Sequence, residues 1–407
     1  MRIAIVNHTH PATGHVSALR MARFADELAK LGNTVLLITQ APAQPDDRSR
    51  QDIGASFAKI VAGSPPVLIE CQLESAVLAG AARSGRLPFG LRQLVIGGCY
   101  AFTGGIFPDW RRAASALVPR IADTFQPQVV FATFGNTDTW SIAQLLAGRA
   151  GCPWVADFKD NWSAFIPRGF RKLTARRFDD MAAMTVFSEM HRLEAGRWFD
   201  HEKTVIYSGN DFGGVGDEDM LPARRPRVLI SGSLYSDEHL QCVMSGFVKW
   251  RQKVDSTGRG LDAVLSYAGN EEDRFRRVAA AVPGMERQFE VLGSLKTPAL
   301  HVFQKSAIAN IYICHQDSLF QQKVPELLSS GRPVLSVPTD SAEARNIASI
   351  LGAAFVGCDD PDTVGRGLEK ALHQPNSQLH PETLQTFSWA SQARHLHDLL
   401  HRTVARK

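Results

Sequence analysis

The feature that most constrains this chain is a pattern that occurs twice: a short β-branched apolar run, a polar or glycine-bearing loop, then a stretch with apolar residues at helical spacing. Ile3-Ala-Ile-Val6 is followed by Ala18 to Leu31, which Gly32 stops, and then by Val35-Leu-Leu-Ile38. That order predicts a strand, a crossover helix and a second, parallel strand, the opening unit of a doubly wound sheet. The pattern restarts at Arg227-Val-Leu-Ile-Ser-Gly-Ser-Leu234, after a stretch rich in Gly, Pro and charge between Gly213 and Arg227. With 407 residues available, two domains of about 200 residues can each bury a core. The expected organisation is a first domain over 1–210, a linker over 211–226, a second domain over 227–385 and a terminal helix over 386–407. Further strands are expected over 129–132, 154–156, 185–188, 204–207, 261–268, 289–292, 308–314 and 353–356.

One segment of the second half carries chemistry. In Leu319-Phe-Gln-Gln-Lys-Val-Pro-Glu-Leu-Leu-Ser-Ser-Gly-Arg-Pro-Val-Leu-Ser-Val-Pro338, Pro325 suits the first turn of a short helix and Gly331 the left-handed residue past its end. Pro333 to Val337 then reads as a buried strand. Lys323 falls just before that helix and Glu326 in its first turn, so an ammonium and the positive helix end converge on a place suited to a diphosphate. An ionised Glu326 accepts both protons of a vicinal diol such as a ribose. The same two residues also suit a plain reading, a solvated Lys and a dipole-favoured acid.

This segment resembles the nucleotide-sugar motif of GT-B glycosyltransferases, in the family 4, or group 1, form where Lys precedes Glu by three residues and Gly-x-Pro-Val follows. The resemblance implies two Rossmann-like α/β domains with parallel sheets facing a central cleft, and metal-independent, retaining transfer of a sugar from a nucleotide diphosphate to an acceptor hydroxyl. It makes Glu326 the ribose ligand and Lys323 the phosphate ligand and catalytic cation. Ser318 stands where many retaining members carry a second acid. Pro153-Trp-Val-Ala-Asp-Phe-Lys-Asp-Asn-Trp162 resembles an Asp-Phe-Arg-Asp-Pro-Trp stretch of a bacterial subgroup, with Lys159 and Asn161 replacing Arg and Pro. Asp160 is the second catalytic candidate, orienting a hydroxyl; equally, Asp157 and Asp160 read as helix caps. By the same resemblance Gly14, Gly232, Ser233, Gly293, Leu295 and Gln322 complete the donor set, with the backbone amides of the Gly232-Ser-Leu234 turn facing the diphosphate. His15 and Asn136 lie on the acceptor side. Tyr235-Ser-Asp-Glu-His239 replaces the Arg and Lys pair that many relatives carry after that turn.

Other readings narrow the field. The loop Asn7-His-Thr-His-Pro-Ala-Thr-Gly-His15 holds three histidines with no adjoining acid, more a set of hydrogen-bonding groups than a metal site, and neither Gly-x-Gly-x-x-Gly nor a Walker motif occurs. No cofactor is expected. A net charge of +4, dispersed, gives no case for nucleic acid, although the clusters Arg168 to Arg177 and Arg224 to Arg227 would meet anionic lipid favourably. Phe89 to Phe107 carries one charge and five glycines. It is too short to span a bilayer and reads either as helices over the core or as a surface for lipid or a lipid-linked acceptor. Six isolated cysteines and the absence of a signal-peptide pattern predict a cytoplasmic protein, at most peripheral on the inner membrane face. The expected role is cell-surface polysaccharide or glycolipid synthesis. The alternatives are a nucleotide-sugar 2-epimerase on the same fold and a non-catalytic nucleotide-sugar-binding scaffold.

Overall fold

The computed structural model describes residues 1–13, 15–42, 66–73, 76–211, 225–256, 261–315, 318–374 and 379–406, with 58, 258 and 377. Gly14 and most of the expected linker lie outside the described residues. The chain divides into two compact units, Met1–Gly209 with Trp389–Lys407, and Asn210–Ser388.

The first unit is built on a seven-stranded, wholly parallel sheet. Its strands are β1 (Arg2–Val6), β2 (Thr34–Gln40), β3 (Val67–Cys71), β4 (Val129–Thr133), β5 (Trp154–Phe158), β6 (Ala183–Val186) and β7 (Lys203–Val205), in the order β3-β2-β1-β4-β5-β6-β7. Side chains alternate across a strand, and β1 displays the result. Ile3 and Ile5 join the core under helix α1 (Val16–Lys30), while Ala4 and Val6 join the opposite core with Trp110, Trp140 and Trp154. Burial on both faces explains why these strands read as continuous apolar runs. β3 is not among the expected strands: it is an edge strand whose five residues include the charge of Glu70.

Helices α2 (Val77–Arg83), α3 (Phe89–Gly98), α4 (Pro108–Phe125) and α5 (Thr137–Ala150) follow. α3 departs from the expectation of a helix over the core, because none of its ten residues is buried. The last helix of the chain, Trp389–Ala405, lies on the first unit, where Trp389, Ala393, Leu396 and Leu400 share the core of Phe24 and Leu28.

The second unit repeats the plan with β8 (Arg227–Ser231), β9 (Val264–Ala268), β10 (Phe289–Val291), β11 (Ala309–Ile313), β12 (Val334–Val337) and β13 (Phe355–Gly357). All pairings are parallel, in the order β10-β9-β8-β11-β12-β13. On one face the helix Asp237–Ser256 packs against the helix Pro361–His373 so closely that a Cβ on Gly246 would stand 2.6 Å from the Pro361 carbonyl oxygen. In each sheet the strand order reverses beside the first strand, between β1 and β4 and between β8 and β11. Open α/β sheets bind ligands at the carboxyl ends of such strands.

One buried ion pair ties the carboxyl edge of the first sheet together. Arg20 on α1 is 1% exposed and Asp157 at the end of β5 is fully buried. The guanidinium donates to both Asp157 oxygens, at 2.9 and 3.3 Å, to the Ile206 carbonyl at 2.9 Å and to Ser208 Oγ at 3.2 Å. The carboxylate also accepts from the hydroxyls of Thr133 and Thr185, at 2.9 and 2.8 Å. Asp157 is thus a structural anion and caps no helix; the capping side chain after β5 is Asn161, which accepts from the Ser163 N–H. Replacing Asp157 by Ala leaves the Arg20 charge buried and unpaired, so thermal or denaturant unfolding of the first unit should show a loss of about 3–5 kcal/mol. An unchanged midpoint would contradict that role.

Candidate functional site

At the reversal point of the first sheet, the loops after β1, β4 and β5 enclose a cavity of about 200 Å³. Asn7, His8, His15, Gly135, Asn136, Lys159, Asp160 and Phe165 are among its lining residues. Three residues named from the sequence, His15, Asn136 and Asp160, therefore meet in one place. His15 caps α1, its Nδ1 accepting the Ser17 N–H at 3.1 Å. A ring nitrogen that accepts carries no proton, so the neutral ring bears its hydrogen on Nε2 and acts there as a donor. Burial, then the Lys159 ammonium, hold the His15 pKa below its ordinary value, against the opposing pull of Asp160. Asn136 caps α5, its Oδ1 accepting the Thr139 N–H at 3.0 Å and the Thr139 hydroxyl at 3.1 Å. Its amide carbonyl is occupied there, so a ligand would meet the NH₂ end. Asp160 pairs with Lys159 at 2.6 Å. Lys159, which enters the sequence reading only as a replacement, is thus the one cation among these lining residues.

His8 and His10 both meet protein groups. His8 sits against Phe107 and Trp110, with ring centroids 4.4 and 5.7 Å away. Burial, then Arg83, lower its pKa to about 4. His10 Nδ1 accepts the Ala12 N–H, and Nε2 lies 2.6 Å from Glu70 on β3. The acid that no neighbouring position offers arrives across the sheet. Among the described residues no group of three or more His, Cys, Asp or Glu side chains is placed to hold a metal ion.

The reversal point of the second sheet brings together four more of the named residues, Gly232, Ser233, Leu295 and Lys323; Glu326, Gln322 and Gly293 do not line its cavity. A cavity of about 190 Å³ is lined by Gly232, Ser233, Gly269, Glu271, Ser294, Leu295, Leu300 and Lys323, among others. Gly232 has φ +86°, and a Cβ there would lie 3.0 Å from Lys323 Nζ. A missing side chain and a left-handed backbone together let the ammonium lie over the turn after β8. The Gly232 N–H, however, donates to the Ala268 carbonyl at 2.8 Å, and Leu234 N–H donates to Glu271 at 2.7 Å. The expectation that the Gly232 amide faces a diphosphate is therefore corrected. Gly232 contributes space, and the cation supplies the charge. Tyr267 fixes the turn by donating its hydroxyl to the Gly232 carbonyl at 2.9 Å.

The helix α6 (Lys323–Leu328) begins at Lys323 rather than after it, with Gln322 as its N-terminal neighbour. It spans six residues, Pro325 has no N–H, and the Val324 and Glu326 amides donate to the Gln321 and Gln322 carbonyls. Its free amides and dipole are smaller than the sequence suggests, which again leaves the ammonium as the chief positive group. Glu326 Oε1 accepts from Gln304 Nε2 at 2.9 Å and lies 3.9 Å from Lys323 Nζ. Both side chains keep about a fifth of their surface exposed. Gln304, almost wholly buried, orients the carboxylate; only a long-range contact reveals it, so the spacing of the motif gives no hint. Gly293 has φ +69° with open space where a Cβ would be. Leu295 and Leu300, which line this cavity, pack against Leu229, Ala268 and Ala307.

No family model and no curated protein matches the chain. Solved structures do. A glycosyltransferase from Rickettsia africae superposes with a TM-score of 0.65 at 12% identity, covering 100% of this chain and 99% of that one. HepE from Anabaena, solved with UDP and glucose, gives 0.64 at 13%, covering 99% and 100%. The fold is GT-B. A putative UDP-N-acetylglucosamine 2-epimerase from Listeria monocytogenes shares it too, with a TM-score of 0.59 at 13% identity over 100% and 97% of the two chains.

The buried histidines have a measurable consequence. His8 and His191 hold pKa values of about 4 and about 3, both lowered mainly by burial, against about 6.5 in an unfolded chain. Between those values the unfolded chain binds protons that the folded chain refuses. Their contribution to stability is therefore complete above about pH 6.5 and is lost as the pH falls toward about 4. Thermal unfolding followed over that range should show a falling midpoint for the wild type and a shallower fall for His8→Asn. Parallel curves would refute the assignment for His8.

Proposed function

We propose that the protein transfers a sugar from a nucleotide-diphosphate sugar to an acceptor hydroxyl. The observation that carries the reading is the Lys323 ammonium lying over the side-chain-free turn at Gly232, with Glu326 one helical turn along and held by Gln304. When the bond between the sugar and the diphosphate breaks, negative charge grows on the leaving oxygen. A cation fixed beside it stabilises the transition state more than the ground state. Ser233 borders the same diphosphate position. Glu326 accepts the ribose hydroxyls, and Gln322, Gly293 and Leu295 border the rest of the nucleotide, Leu295 offering an apolar edge. In the first unit, His15 Nε2–H and the Asn136 amide donate to hydroxyl or carboxylate oxygens of the acceptor. Asp160, steadied by Lys159, orients the attacking hydroxyl. The transfer needs no metal in this scheme, because Lys323 neutralises the diphosphate. The superposition on a glycosyltransferase and on HepE with UDP supports a uridine or similar diphosphate as the leaving group.

Lys323→Ala should lower turnover roughly 10²–10³-fold, by comparison with loss of one preorganised stabilising group. Release of nucleoside diphosphate from the sugar donor found in a thermal-shift screen measures it, and near-normal turnover would refute the role. Glu326→Ala should weaken binding of a ribose diphosphate about tenfold or more, as expected for losing hydrogen bonds to a charged group. The same variant should weaken the 2′-deoxy analogue less, and calorimetry that shows equal losses would remove the diol contact.

The superposition on a UDP-N-acetylglucosamine 2-epimerase favours one second reading, isomerisation of the donor itself. Incubation with donor alone separates the two. Transfer predicts no isomer without an acceptor, whereas accumulation of one would replace transfer by epimerisation.

A further inference from the structure

The first unit carries a helix pair that its own core does not cover. α3 has a single charge, Arg92, and apolar residues around its circumference, yet none of its residues is buried. Phe89 is 77% and Leu94 74% exposed, and Phe102, on the π-helical turn that continues α3, is 91% exposed. The neighbouring α2 adds Val77 and Leu78, at 77% and 65%. A helix that is apolar on all sides normally lies inside something, and single exposed apolar residues are ordinary where a cluster of this kind is not.

The charges around the cluster say what that something is. Residues 76–108 contain three arginines and no carboxylate, and residues 161–178 contain five cations and no carboxylate. The structure joins the two stretches. Tyr100 stacks on Phe170 with centroids 6.0 Å apart and donates its hydroxyl to the Phe165 carbonyl at 3.4 Å. The guanidinium of Arg177 lies against Gly104, next to the end of the π turn. Arg86, Arg168, Lys172 and Arg176 are exposed beside this seam, with Phe165 and Leu173 adding apolar surface at 50% and 54%. Of the acids that adjoin it, Asp109 pairs with Arg83, Asp138 is buried on the Phe107 N–H, and Asp180 accepts from Gln144 and Trp154, while Asp179 lies exposed at its edge.

We propose that this α2–α3 face is a docking surface for a bilayer that carries anionic lipid. Phe89, Leu94 and Phe102 enter the boundary between head groups and acyl chains, and the ring of Arg and Lys stays at head-group level. A second copy of the chain is the less suitable occupant, since two faces that each carry an excess of basic charge would repel across a shared interface. No described helix is long and apolar enough to cross a membrane, so attachment on this face lies along the surface. The inference does not rest on the transfer reading, and its test involves no nucleotide sugar.

Sedimentation of the full chain with phosphatidylcholine vesicles, with and without phosphatidylglycerol, tests it. The wild type should pellet with the anionic vesicles, and less so as salt is raised. The double variant Phe89→Ser, Phe102→Ser removes two exposed side chains and should weaken that partition at least about tenfold. Its thermal midpoint should stay near that of the wild type, because largely exposed positions contribute little to folding. Arg168→Gln with Lys172→Gln should weaken binding to anionic vesicles by roughly tenfold or more and leave binding to neutral ones unchanged. The proposal is overturned if the wild type stays in the supernatant with anionic vesicles, or if the Phe variant pellets as the wild type does. It is also overturned if ultracentrifugation without lipid shows a dimer that the Phe variant abolishes, which would assign the face to a second copy.

Discussion

A guanidinium and a carboxylate held away from water set the geometry of the first unit's binding edge. Arg20 reaches from α1 to Asp157 on β5, to the Ile206 carbonyl and to Ser208, while Thr133 on β4 and Thr185 on β6 share the same carboxylate. Every partner sits at or near the carboxyl end of a strand. A charge pair in a dry site is kept only when its remaining hydrogen-bonding capacity is met, and here four hydrogen bonds from Arg20 and two from the threonines meet it. The loop that presents Lys159 and Asp160 starts within two residues of that anchor. The position of the cavity groups thus follows from a pair that is not itself among the cavity's lining residues.

Both candidate sites then obey one rule. A doubly wound sheet leaves a gap where its strand order reverses, and each sheet fills the gap's rim with one lysine and one glycine-bearing turn. In the first unit these are Lys159 and the turn at Gly135, in the second Lys323 and the turn at Gly232. The second is better suited to an anion because its ammonium is not matched at short range. Lys159 stands 2.6 Å from Asp160, whereas Lys323 stands 3.9 Å from Glu326, and Gln304 holds that carboxylate by a hydrogen bond of its own. Charge left unneutralised by the protein is charge available to a phosphate.

The buried strands are legible because burial on both faces forces short β-branched runs such as Ile3-Ala-Ile-Val6 and Val228-Leu-Ile230, too short and too β-branched for a buried helix. Glycine at Gly331 marks the end of α6 because its left-handed φ of +72° suits few other residues. What stays hidden is set by distance along the chain. β3, with Glu70, pairs at a sheet edge and so lacks the unbroken apolar signature of its neighbours. Gln304 meets Glu326, and Glu70 meets His10, only after the sheets assemble. The Gly232 amide shows the opposite error. The sequence locates the turn after β8, but only the paired structure shows that the Gly232 N–H is already given to Ala268.

The first unit is assembled from two separated stretches of chain, with the whole of the second unit threaded between them. Trp389, Leu396 and Leu400 supply one wall of the core that Ile3, Phe24 and Leu28 begin. During synthesis that wall is made only after the whole of the inserted unit, so the apolar flank it covers has no partner from this helix until then.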